Sequence, residues 1–108
     1  MKKHSIIALL LALAIITLLP ATARAAEDGA ALFKAKCAVC HGAEAQGKPA
    51  VKAPSLVSAE AKKLSDADLT DSIANGGKAQ KPAHAFAKKG LTADQVKALV
   101  AYLRTLQK

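Results

Sequence analysis

The chain opens on an almost unbroken apolar run, Ile6 to Leu19, interrupted only by Thr17, and never returns to that pattern. Beyond it, apolar positions recur at helical spacing in three stretches. The first runs from about Asp28 to Cys40, with Leu32, Phe33 and Cys37 apolar and Asp28 as its expected N-cap. The second spans Ser65 to Asn75. Ser65 suits an N-cap, Asp66 and Asp68 suit a first turn, and Asn75-Gly76-Gly77 suits a stop. Leu64 and Leu69 occupy the two positions of a hydrophobic staple. The third, Thr92 to about Leu106, carries the stripe Val96, Leu99, Val100, Leu103 and Leu106, with Tyr102 at its edge. Thr92-Ala93-Asp94-Gln95 is a capping box, and Leu91 can staple to Val96. Pro49 and Pro54 keep the stretch from Gly42 to about Val57 non-helical, while Ser58 to Lys63 suits one short turn. No segment alternates as a half-buried strand would. The pattern predicts an all-α domain.

The opening apolar run changes the domain count rather than the fold. Lys2 and Lys3 precede it, Pro20 ends it, and Ala23-Arg24-Ala25 supplies a small-x-small cleavage pattern. Residues 1–25 are therefore expected to be an export signal, and residues 26–108 one small domain. Ala21-Thr22-Ala23 is a second, weaker cleavage pattern. The run is short for a membrane span, which needs about 20 residues, so no stable membrane insertion is expected after cleavage. Retention as an N-terminal anchor is the alternative. Export places the protein in the periplasm or an equivalent compartment.

The candidate chemistry lies in Cys37-Ala38-Val39-Cys40-His41. Two thiols three residues apart, followed at once by histidine, form the attachment pattern of c-type haem. On one helical turn the cysteines project from the same face, so each can add across one of the two vinyl groups on one porphyrin edge. His41 can then offer a ring nitrogen to the iron as proximal ligand. Three other readings compete. A thioredoxin-like pair would want a βαβ context. A structural zinc site needs four ligands, and adjacent Cys40 and His41 would struggle to meet one tetrahedral metal. A disulfide across so short a loop would stabilise little. A covalently held macrocycle would, by contrast, supply the core that so short a domain lacks.

Charge adds a partner class. The whole chain carries 16 Lys and Arg against 8 Asp and Glu, and loss of Lys2, Lys3 and Arg24 would leave 13 cations. An exported chain with one Tyr and two Phe is a poor candidate for nucleic acid. Basic side chains near a redox site would steer acidic redox partners, and Lys34, Lys36, Lys48, Lys78, Lys81, Lys88 and Lys89 flank the motif or the loop from Gly76 to Gly90. Asp66, Asp68 and Asp71 fit a helix N-terminus rather than an acid–base pair, and no nucleophile–base set is legible. An enzyme is not expected. Oligomeric state is not legible.

Taken together, the mature segment resembles a small class I c-type cytochrome. Gly29 and Phe33 resemble the glycine and aromatic of that family's N-terminal helix, and Leu99 and Tyr102 resemble their partners on the C-terminal helix. The resemblance implies three main helices wrapped round one covalent haem c per chain, with the terminal helices crossing. Pro54-Ser55-Leu56 is similar to the family's proline loop, whose carbonyl holds the second nitrogen of the proximal histidine. By that match Pro54 orients His41, with Pro49 as the competing proline. One departure stands out. The family usually closes the distal face with methionine, and the single methionine here is Met1.

The implied function is one-electron transfer without the usual axial methionine. His84, in the loop that must cover the distal face, is the expected sixth ligand. Lys81, just before Pro82 where methionine would be expected, is the alternative. Should neither bind, the iron would be five-coordinate, and the protein a sensor or scavenger of small gases.

Overall fold

The computed structural model describes residues 21–108, with side chains from Asp28 onward. Most of the expected export signal, including Met1 and the apolar run, lies outside the described residues. Among the described residues five α-helices follow in order: α1 Ala21–Lys36, α2 Ala38–His41, α3 Ala59–Lys62, α4 Asp66–Asn75 and α5 Ala93–Leu106. A 3₁₀ turn at Pro49–Val51 separates α2 from α3. Among the described residues there is no strand, only an isolated bridge between Lys48 and Ala53. The all-α expectation holds.

Two helix ends differ from what the sequence suggests. The first helix begins at Ala21, not Asp28, because the alanine-rich residues before Asp28 favour helix. Asp28 is therefore inside α1 rather than capping it. The same helix also breaks where continuity to Cys40 was expected. Cys37 still donates its N–H to the Phe33 carbonyl at 2.8 Å, but its backbone departs to φ −116°. Its own carbonyl then receives both Cys40 and His41. A fresh single turn starts there, and Gly42, at φ 89°, ends it.

Elsewhere the capping grammar reads directly into structure. Ser58 caps α3, Ser65 caps α4 by accepting from the Asp68 N–H, and Thr92 with Gln95 forms the reciprocal box at α5. Gly76, at φ 90°, closes α4. A β-carbon on it would come within 2.8 Å of the Lys81 backbone. The Leu64–Leu69 staple is looser than expected: Leu69 is buried, whereas Leu64 is 42% exposed. Its carbonyl is instead held by Arg104.

The core forms where α5 meets α1 and α4. Phe33, Ala45, Leu69, Leu99, Val100 and Leu103 make one buried cluster. The Phe33 and Tyr102 rings tilt against each other with centres 5.5 Å apart. Helices α1 and α5 approach so closely at Gly29 that a β-carbon there would stand 2.1 Å from the Ala98 carbonyl oxygen. Only hydrogen fits. Gly29→Ala should therefore force the helices apart and cost about 1–3 kcal/mol or more, read as a lower urea midpoint. An unchanged midpoint would show that the crossing yields without cost.

Candidate haem-binding site

The break at Cys37 sets the geometry of the motif. Cys37 starts the short turn α2, which ends on His41, so the thiols and the imidazole leave a single turn of backbone. Cys37 is half-buried against the core, whereas Cys40 is exposed, and both are free thiols. Burial, then the neighbouring Cys40, pushes the Cys37 thiol up to about 11. This separates the motif from redox CxxC pairs, whose attacking thiol is held below its ordinary value. Cys37 has the opposite character.

His41 is buried, and its ring is fixed. Nδ1 donates to the Pro54 carbonyl at 2.9 Å, so the proton sits on that nitrogen and Nε2 is left as the electron-pair donor. The carbonyl reached is that of Pro54; Pro49 instead opens the 3₁₀ turn. The backbone around it is tied back on itself. Gly47 donates to the His41 carbonyl at 2.7 Å, and Leu56 donates to the Ala45 carbonyl at 2.8 Å.

On the other side, the loop after α4 carries His84 towards His41. It is bolted to the end of that helix: Phe86 and Ala87 donate to the Ile73 and Ala74 carbonyls, two of the groups a helix terminus leaves without partners. Gln80 and Ala85 adopt left-handed backbone to make the turns. Phe86 lies beside the His84 ring at 6.3 Å between centres. The Lys89 ammonium sits 4.9 Å from the Phe86 ring centre and donates to the Ala83 carbonyl.

The result is a pair of imidazoles, His41 and His84, with ring centres 6.1 Å apart and planes inclined by 33°. A metal held between two imidazoles, about 2 Å from one nitrogen of each, would set their ring centres roughly 6 Å apart. Burial, then the charge of His41 and that of Lys81, lowers His84 below the ordinary histidine range, against an opposing contribution from the Ser72 backbone. His84 is consequently a neutral donor near pH 7. Lys81 is exposed. The donor set thus fits a haem: two thiols and a buried, oriented imidazole from one turn, with a second imidazole near it. An open groove of about 400 Å³ near Phe33, Ala38 and Tyr102 includes none of these four groups.

The fold and this site define a small haem-carrying, all-α domain. The profile of the cytochrome c family matches residues 26–107, and the chain belongs to that family. Its members bind haem c covalently and serve as haem-based electron carriers. No curated protein and no solved structure gives a further match to the chain.

The loop clamp was not foreseen. Phe86 and Lys89 brace the His84 loop, and the only sequence signal for this was an aromatic two residues past the histidine with a lysine three further on.

Proposed function

We propose that this protein is a one-electron carrier of the periplasm, or an equivalent compartment, with one haem c attached through Cys37 and Cys40. His41 is its proximal ligand and His84 its sixth. The 6.1 Å separation of the two imidazoles carries this reading. The haem supplies the one-electron chemistry; the chain orients its ligands and excludes water. Pro54 fixes the His41 tautomer through Nδ1, a partner that raises ligand basicity. Two imidazoles without a thioether favour a reduction potential lower than that of Met-ligated relatives, since methionine raises it.

The supporting scaffold suits a carrier rather than a binder of small gases, because His84 stands on a loop hydrogen-bonded to α4 and not on a free tip. Purified exported protein should carry one covalent haem on residues 26–108 by intact mass and be low-spin when reduced. His84→Ala should make it high-spin and able to bind carbon monoxide. A wild type that binds carbon monoxide readily supports the five-coordinate sensor. A low-spin His84→Ala protein with unchanged potential transfers the sixth-ligand role to Lys81.

Docking follows from the surface around the motif. Val39 is 74% exposed and Cys40 is exposed, so electrons can enter beside the attachment turn. Lys34, Lys36, Lys48, Lys78, Lys81, Lys88 and Lys89 are all exposed, and the Lys48 ammonium reaches the Val39 carbonyl at 3.0 Å. An acidic redox partner fits this charge. Electron-transfer rates with such a partner should fall as salt rises, because exposed charges are screened over about 8–10 Å near physiological ionic strength. A flat rate between low and moderate salt would leave these lysines as solubilising charges.

A further inference from the structure

Pro54 is an exposed residue of a loop without regular structure, yet its carbonyl must stay on one atom, Nδ1 of His41. Something has to hold the segment that carries it. Before Pro54, Ala53 is paired in both directions with Lys48; after it, Ser55 contributes only locally, accepting from the Val57 N–H. Two residues beyond Pro54, both backbone polar groups of Leu56 are taken. Its N–H goes to the Ala45 carbonyl, and its carbonyl accepts from Gln107 Nε2 at 2.8 Å across 51 residues of sequence.

Gln107 is itself 8% exposed, at the end of α5, and its amide has one allowed orientation. Oε1 accepts from Arg104 Nη1 at 2.7 Å, which leaves the NH₂ group facing Leu56. Arg104 is anchored in turn on Asp66 at 2.9 Å and on the Leu64 carbonyl at 2.6 Å. A continuous path thus runs from the start of α4, through the last turn of α5, to the segment that orients His41. Nothing in it touches the metal-binding atoms.

We propose that Gln107 is a positioning residue for the proximal ligand: by holding Leu56 it keeps the Pro54 carbonyl on His41 Nδ1 and so sets the basicity of His41. This rests on the reading of His41 as the iron ligand. Losing the amide donor leaves the half-buried Leu56 carbonyl short of a partner and loosens the segment that follows Pro54, since an acceptor shielded from water without its donor is unfavourable. The Nδ1–H bond then lengthens, the imidazole becomes a poorer donor, and the ferric form loses support.

The test compares Gln107→Leu and Gln107→Glu in the holo-protein with Lys108→Ala as control. Glu keeps the volume and the Arg104 partner but cannot donate to Leu56, so it carries the test should the Leu variant fail to fold. The His41 Nδ1–H resonance of the reduced protein should exchange with solvent about tenfold faster or more. The midpoint potential should rise in both variants and stay put in the control. Unchanged exchange and potential, with a lowered melting temperature, would make Gln107 a packing residue and overturn the proposal. Absence from the wild type of a His41 Nδ1–H resonance shifted by the haem ring would overturn the His41 reading, and this one with it.

Discussion

Where α1 and α5 cross there is no room for a single β-carbon. The hydrogen of Gly29 faces the Ala98 carbonyl, and this contact sets the distance between the two longest elements of the domain. Phe33 and Tyr102 meet one turn further along because the backbones are that close. From there α1 delivers Cys37, half-buried, to the edge of the core, and α5 delivers Gln107 to the loop behind His41. One crossing therefore serves one side of the candidate site: its first helix ends at the turn that carries Cys37, Cys40 and His41, and its last ends on the loop whose Pro54 carbonyl holds the His41 ring.

The distal side is built by a different device. Helix α4 stops at Gly76, and the carbonyls it leaves open are taken up by the returning loop at Phe86 and Ala87. A helix terminus thus becomes an anchor for His84. Burial, with the nearby positive charges, biases that imidazole towards its neutral form, the form that can offer a ring nitrogen to a metal. A methionine in this loop would need no such control of protonation.

The fold was largely legible because its signals are local. Ser58, Ser65, Thr92 and Gln95 cap the helices they precede, and the stripe from Val96 to Leu103 is buried as its spacing implies. Asp28 misled because a capping residue carries weight only when the residues before it disfavour helix, and here they are alanine-rich. Leu64 misled because its carbonyl, not its side chain, became the useful group. In the site, Cys37, Cys40 and His41 share one short turn, as their spacing in five residues implies. What no local pattern contains is distance across the fold. The 6.1 Å between His41 and His84 arises from three turns and two loop-to-helix hydrogen bonds, and the Gln107–Leu56 contact spans half the chain.

The central claim is that two imidazoles of one chain share a single iron, and the nitrogen couplings of the ferric protein report on it directly. Pulsed electron paramagnetic resonance on holo-protein grown with ¹⁵N-histidine should show two strongly coupled imidazole nitrogens of similar strength. They should fall to one in His84→Ala. A single coupled imidazole in the unaltered protein would contradict the account.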